Sequence, residues 1–574
     1  MTTASSHTAT GIRARVAAST RAFALMAGNP SLLRAQLAFG VAWTADWAFT
    51  VALGVVAFRN GGAAAVGVIG FLRMAPSALL VPVGAAFADR FRRDRVLLWS
   101  CLVRAAATAA LAFVLAAGGP THAVYALAVV ATAGLSVFRP AHQALLPGLC
   151  KTPLELTNAN VVRGFIDSLS TLLGPLAAAL LLALGSAQIV FGLAAALSLV
   201  SGALLLGLSY EAAPRGPSEP LRRIAVETID GFRAIRRNPN AGLLIGIGLA
   251  QTLTNGFLNV FMVVVAIELL HIGASGVGVL TAAMGIGALA GSLGASMLVT
   301  GPRLAVIQGI GVALWGIPLT LSGALPYAPA VLVFMCVIGV GNALGNIGIC
   351  TLVPRLVPEE LLARVFGAIE SMIAVTVAVG ALATPVAIEL LGVRGALVAL
   401  GLVSPAAAAL AWRRLRAIDA SIARQDEAIE VLNKVEMLRP LPMPAIDALA
   451  LSVDEAILAP GEAVFHQGDS GDSFHVIEQG EVDVIGDGQL IRTMGPGDGF
   501  GEIALLRDRI RTTTVRARTP LRLLSLNRLN FVSAIDGYES SAREATRLVR
   551  ARLDRFDSRV GSPGLAGPVP SVGH

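Results

Sequence analysis

Charge is scarce in this sequence. Only 14% of its 574 residues are Asp, Glu, Lys or Arg, while 55% are hydrophobic and the mean hydropathy is +0.72. A soluble domain needs a polar shell around its core, and this composition cannot supply one, so a membrane-embedded chain is expected. Cysteine is scarce as well. Cys101, Cys150, Cys336 and Cys350 lie in or beside apolar segments without a CxxC pair, so neither a disulfide framework nor a zinc site follows from them. No Walker loop, nucleophile–base constellation or metal cluster appears, and an enzyme is not expected. The opening MTTASSHTATGIRARVAASTRAF is polar and basic without a short apolar core and cleavage site, so no cleaved signal peptide is expected.

The sequence does have long apolar runs. A hydrocarbon core of about 30 Å takes about 20 residues of helix, and twelve candidate spans fit: roughly 34–58, 64–88, 96–118, 122–146, 160–184, 187–209, 242–267, 274–299, 303–324, 328–352, 363–389 and 394–412. They fall six and six around a polar stretch rich in Pro and Arg, Tyr210–Asn240. The net charge of +7 is carried almost wholly by arginine and sits between spans, where it sets orientation rather than binding nucleic acid. With the N-terminus inside, the inner connections collect Arg90, Arg92, Arg93, Arg95, Arg222, Arg223, Arg236, Arg237, Arg413, Arg414 and Arg416, and the outer ones hold little beyond Arg59 and Arg394. Both termini are therefore expected in the cytoplasm, with the chain multi-pass in the cell (inner) membrane.

An internal repeat supports the halves. LPGLCKTPLELTNANVVRGFIDS (146–168) matches VPRLVPEELLARVFGAIES (353–371) once a four-residue gap is allowed; both end in Gly-x-Ile-acid-Ser. That sets span 5 opposite span 11, as parallel repeats would. The loop after span 2, GAAFADRFRRDRVLL (84–98), resembles the signature of the major facilitator superfamily, with Asp89, Arg90, Arg93 and Arg95 on matching or near-matching positions and the usual glycines replaced by Ala85 and Arg92. The resemblance covers residues 33–413. It implies a polytopic bundle of twelve transmembrane helices in a 6+6 pseudo-repeat, with Asp89, Arg90 and Arg93 in a conformational-switch loop. STLLGPLAAAL (170–180) is similar to the Gly-Pro signature of drug-exporting antiporters and points to export, although small residues also serve helix packing.

A charge in mid-span costs at least about 2.5–3.5 kcal/mol on insertion scales, so each needs a reason. Three acids (Asp46, Asp167, Glu370) and three arginines (Arg73, Arg104, Arg139) are read as lying in mid-span. They are candidates for proton coupling in a water-lined cavity or for static ion pairs between helices. In the second half Gln251, Asn255 and Asn259 in span 7, with Asn342 and Asn346 in span 10, are candidates for the substrate cavity. Each asparagine pair is four residues apart and shares a helical face; helix–helix bonding is the other role open to them. His142 is expected to be a structural hydrogen-bonder.

After Arg416 the composition changes. A mixed-charge helical segment leads into EAVFHQGDSGDSFHVIEQGEVDVIGDGQLIRTMGPGDGF, whose period-two runs between Gly/Asp turns predict a small α+β domain holding an antiparallel barrel or jelly roll. Residues 435–556 resemble the cyclic nucleotide-binding domain. The phosphate cassette of that family has a Gly-Glu pair, a short helical turn and an arginine nine residues after the glutamate; Gly501, Glu502 and Arg511 keep that spacing, with Ile510 where proline is usual. The resemblance implies that Arg511 meets the cyclic phosphate, that backbone N–H groups near Ile503 and Ala504 add donors, that Glu502 accepts from the ribose hydroxyl and that Thr512 offers a further donor. The implied regulatory ligand is cAMP or cGMP, with no cofactor.

The expected organisation is a segment 1–32, bundles 33–209 and 242–413 around a linker 210–241, a helical linker 414–434, the nucleotide domain 435–556 with a last helix at roughly 538–556, and a disordered tail 557–574. The expected function is secondary transport, as a proton-coupled exporter of a small or amphipathic molecule tuned by cyclic nucleotide. Its partners would be the bilayer, the nucleotide, an unknown small-molecule substrate and protons, with no nucleic acid. A membrane-tethered cyclic-nucleotide sensor with a non-transporting bundle is the alternative.

Overall fold

The computed structural model describes residues 28–90, 92–150, 152–208, 221–298, 303–357, 359–507, 509–537, 541, 543 and 546–550, apart from the side chains of 76–90 and 221–228 and a few others. The segment 1–27 and the tail 557–574 fall outside the described residues. Contacts divide the chain into two units, Met1–Ile418 and Asp419–His574.

The first unit is built of helices: α1 (Pro30–Arg90), α2 (Arg93–Ala116), α3 (Thr121–Ser136), α4 (Phe138–Leu149), α5 (Pro153–Ala183), α6 (Ala187–Leu205), α7 (Leu221–Arg237), α8 (Pro239–Val264), α9 (Gly273–Leu298), α10 (Leu304–Ala324), α11 (Ala328–Ile347), α12 (Val353–Leu356) and α13 (Glu359–Gly401). The 32-residue α14 (Val403–Lys434) closes it, and the division between units falls within this helix. Among the described residues ten helical stretches are long and apolar enough to cross a membrane. The expectation of twelve spans splits α1 at its break, Gly61–Gly62, and the α13–α14 stretch at Gly392. The polar connection 210–241 is not wholly a linker. It contains α7, in which Ile229, Phe232 and Ile235 recur at helical spacing and which packs on α13, with the Gly231 backbone against the Arg364 carbonyl and Asp230 3.9 Å from the Arg364 guanidinium. The charged residues interspersed through it hid that apolar stripe.

Polar side chains tie the helices together by bonding backbone carbonyls, since an unpaired polar group in hydrocarbon costs several kcal/mol (roughly). Gln36 donates to Ala159 at 2.8 Å, Ser201 to Ala38 at 2.8 Å and Gln308 to Leu244 at 2.9 Å. The two halves of the bundle meet along α5–α9 and α1–α13, where glycine allows backbone approach. A Cβ on Gly285 would fall 2.8 Å from Leu172, and one on Gly67 would fall 2.6 Å from the Ala381 carbonyl. The repeat is visible in the structure too: Ser168 donates to the Gly164 carbonyl and Ser371 to the Gly367 carbonyl, each at 3.1 Å.

In the second unit the end of α14 and α15 (Met443–Leu451) precede strands β1 (Asp454–Leu458), β2 (Ala463–Phe465), β3 (Ser473–Gln479), β4 (Val482–Gly486), β5 (Gln489–Met494), β6 (Gly499–Phe500), β7 (Thr514–Ala517) and β8 (Leu521–Asn527), with α16 (Glu502–Arg507) between β6 and β7 and α17 (Arg528–Asp536) after β8. Residues 541, 543 and 546–550 are helical. The strands form two four-stranded antiparallel sheets, β1-β8-β3-β6 and β2-β7-β4-β5. Period-two alternation gives β3 two jobs. Ile477 joins Val482, Phe500, Val515 and Leu523 in the core between the sheets. Phe474 and Val476 face the helices, where Phe474 stacks on Phe531 at 4.3 Å beside Leu432 and Leu438.

Candidate functional site

Asp46, Arg73 and Arg104 come from three different helical arms yet meet at one point. Asp46 Oδ1 lies 3.1 Å from Arg104 Nη2 and 3.8 Å from Arg73 Nη2. Arg73 also donates from Nε to Thr132 Oγ1 at 2.8 Å and from Nη2 to Thr50 Oγ1 at 3.2 Å. Both guanidiniums lie over the Phe49 ring, at 5.2 Å and 5.8 Å from its centroid. Arg104 is 2% exposed, whereas the Asp46 side chain keeps 23% of its surface. The carboxylate is thus the accessible member of the cluster.

The other intramembrane charges gather elsewhere. Arg139 and Arg163 both act electrostatically on Asp167, and Cys350 lies within reach of Arg139, Arg163 and Glu370. Asp167 and Glu370, the acids at matching positions of the repeat, therefore belong to one neighbourhood. Arg139 also sits over Trp43 at 5.5 Å. Arg163 lies inside the expected span 160–184 but was not among the charges singled out there. The asparagines divide. Asn255 and Asn259 line a cavity with Trp47, Thr50, Leu258, Met262 and Met284. Gln251 Nε2 reaches Asn342 Oδ1 at 3.5 Å, and Asn346 bonds the Asn342 carbonyl one helical turn away at 3.0 Å. Thr252 and Thr376 join α8 to α13 at 2.7 Å. His142 is fully buried, its Nε2 3.2 Å from the Ala35 carbonyl and its ring stacked on Phe39. The side chains of Asp89 and Arg90 lie outside the described residues. Arg93 Nη1 donates to the Ala144 carbonyl at 2.6 Å, fastening the start of α2 to α4.

In the second unit the cassette runs from β6 through α16 to β7. Gly501 has φ +93°, and a Cβ there would fall 2.6 Å from Arg511 Nη1; both facts require glycine. Glu502 opens α16 and is 2% exposed, with Ile503 and Ala504 in its first turn. Arg511 is 3% exposed. Its Nη1 donates to the Gly501 carbonyl at 3.0 Å and its Nη2 to the Ser473 carbonyl at 2.8 Å, while Nε has no hydrogen-bond partner among the described residues. Burial lowers the Arg511 pKa, and Asp472, Glu502 and Asp469 draw it back up. Thr512 follows, half-buried, while Ile510 is exposed.

Two aromatic neighbours of Arg511 were not legible in the sequence. Phe465 lies beneath the guanidinium at 4.1 Å, and Phe500 packs against both Phe465 and His475. His475 pairs its Nδ1 with Ser525 Oγ at 2.8 Å; burial and then Arg511 push its pKa down to about 4, so the ring is neutral at pH 7. Only the strand register brings these residues together, pairing His475 with Phe500 and Ser525.

A helical bundle with paired charges in its spans, continued by a roll that buries an arginine beside a Gly-Glu turn, defines a multi-pass membrane protein with a cyclic-nucleotide-type module. The Major Facilitator Superfamily model matches residues 36–307 and 244–453, and the chain belongs to that family. The cyclic nucleotide-binding domain model matches residues 456–538. The chain is similar to a cAMP-dependent protein kinase regulatory subunit of Yarrowia lipolytica, 36% identical over 130 residues (20% of this chain and 35% of the relative), and to one of Eremothecium gossypii, 40% identical over 80 residues (14% and 18%). It therefore spans about a third or less of the length of these relatives. Among solved structures it is similar to the regulatory domain of Toxoplasma gondii PKA with cAMP (22% identity, 24% of this chain and 51% of that one, TM-score 0.20) and to the Thermus thermophilus Catabolite Activator Protein (24%, 22% and 62%, TM-score 0.20).

Proposed function

We propose that the chain is a secondary transporter, a proton-coupled exporter of a small or amphipathic molecule, whose rate is modulated by a cyclic nucleotide bound in the C-terminal roll. The membership of the bundle in a transporter family and the match of the roll to a nucleotide-binding family support the outline. The observation that carries the regulation is Arg511: a buried, charged side chain whose Nε has no hydrogen-bond partner among the described residues, next to Glu502 and the turn that Gly501 makes possible. A singly charged cyclic phosphate is a partner that such a guanidinium can meet with charge-assisted bonds. The relatives named as cAMP-dependent favour cAMP over cGMP. On this reading the bundle sits in the cell membrane with both termini and the roll in the cytoplasm, as its arginine distribution suggests.

Asp46 is the proton acceptor in this reading, because it is the accessible carboxylate between two buried arginines. Protonation would release the arginines and change the balance between two rocked states of the bundle. Residues 414–440 connect the units and would transmit the nucleotide signal. Coupling free energies are typically about 1–3 kcal/mol, so nucleotide adjusts the rate rather than gating it absolutely. The pairing of Asp46 with both arginines also suits a static brace, as in a membrane-tethered sensor, and the two readings differ in flux. Proteoliposomes holding a pH dye and screened with amphipathic compounds test both. The transporter reading requires compound-dependent proton movement that responds to cAMP in the wild type and not in Arg511→Ala. Absence of any flux leaves the sensor, and equal responses of the two proteins refute the regulation.

A further inference from the structure

We infer that the cargo is an organic anion, a carboxylate or sulfonate on an apolar body, and that Arg104 and Arg73 form the subsite for its charge. The inference rests on the transporter reading and specifies its substrate class. The cluster holds two arginines and one aspartate, so it carries one excess positive charge in a place where charge is costly. Arg73 spends its donors on Thr132, Thr50 and Asp46. Arg104 does not. It is 2% exposed, and its Nε, Nη1 and Nη2 all lack a hydrogen-bond partner among the described residues; Nη2 touches Asp46 at 3.1 Å without hydrogen-bond alignment.

A buried guanidinium with unused donors, in a cluster whose one carboxylate is shared with a second arginine, is set up for an anion with planar oxygens. The exposed edge of Asp46 marks the route by which such an anion reaches it. The apolar body has a wall close by. Thr50, which accepts from Arg73, also lines the cavity formed with Trp47, Leu258, Met262, Val263 and Met284, in which Asn255 and Asn259 are the amide groups. Charge-neutralising donors at one end and an apolar surface with two amides at the other match an amphipathic anion. A cation would meet the arginines' repulsion, and a small inorganic anion would leave the wall unused.

The test uses the purified full-length protein in nanodiscs and compares binding of 2-naphthoate, 2-naphthamide, 2-naphthylmethylammonium and acetate by calorimetry. Naphthoate is expected to bind at least about tenfold more tightly than each of the others. In Asp46→Asn, which leaves both arginines uncompensated, naphthoate binding should tighten, and in Arg104→Gln the preference for naphthoate over naphthamide should vanish. The wild-type series decides the matter even if a variant fails to fold. Equal binding of naphthoate and naphthamide, tighter binding of the ammonium compound, or no naphthoate binding at millimolar concentration overturns the inference. Acetate equal to naphthoate overturns the amphipathic part of it. None of these results touches the transporter reading, which falls only if no compound drives flux in the proteoliposomes.

Discussion

Each unit of this protein buries an arginine over a phenylalanine ring, and the two solve the resulting problem differently. In the membrane unit Arg104 faces a carboxylate side chain, Asp46, and lies over Phe49. In the C-terminal unit Arg511 lies over Phe465 but donates to two backbone carbonyls, those of Gly501 and Ser473. A carboxylate can take up a proton and let go; a peptide carbonyl cannot. The first arrangement suits a site whose charge must change during a cycle, and the second suits a fixed cation kept ready for a permanent anion.

The comparison can be broken at several points, and Asp46 is expected to show the largest effect. Asp46→Asn should reduce compound-driven proton movement in proteoliposomes to the background of empty vesicles. Retained flux would make the Asp46 pair a brace and erase the contrast. Arg511→Ala comes next. Losing hydrogen bonds to a charged partner costs about 1.5–3 kcal/mol each, so cAMP affinity measured by calorimetry on the full-length protein should fall at least about tenfold.

The third test concerns the neutral ring next to Arg511. His475 has a folded pKa of about 4 against an ordinary 6.5, so below pH 6.5 the unfolded chain binds a proton that the folded roll refuses. Stability is therefore full above that value and declines as pH falls towards 4. Linkage gives a loss of about 2 kcal/mol between pH 7 and pH 5. Hydrogen-exchange protection of β3 and β8, corrected for intrinsic rates, should show that loss in the wild type and lack it in His475→Gln. The smallest effect is expected from the rings. Phe465→Leu keeps the apolar contact and removes the cation–π attraction, worth about 0.5–2 kcal/mol, so cAMP affinity should drop severalfold. Phe49→Leu should change flux by no more than a similar factor. A far larger loss there would show that the ring, rather than Asp46, keeps the two arginines together.

The sequence carried these two sites unequally. Glu502 and Arg511 were marked by resemblance to a known cassette that keeps them nine residues apart, and the sheet class could be read from the Gly/Asp-punctuated alternation. Asp46, Arg73 and Arg104 were each marked by the cost of charge in a span, but spacing says nothing of which charge pairs with which across helices. Equal numbers of acids and arginines suggested pairing, and the packing instead set two arginines on one acid. Phe465 and His475 were hidden for the same reason, because strand pairing (Phe465 with Val515, His475 with Phe500) rather than chain order sets them beside the cassette. The helix α7 was obscured by its own arginines, since an amphipathic surface helix and a basic linker have similar composition.

The glycine seams between α5 and α9 and between α1 and α13 have a consequence for how this bundle tolerates change. At a glycine there is no side chain to trim, so every substitution at Gly67, Gly278 or Gly285 is an addition and acts as a wedge between the halves.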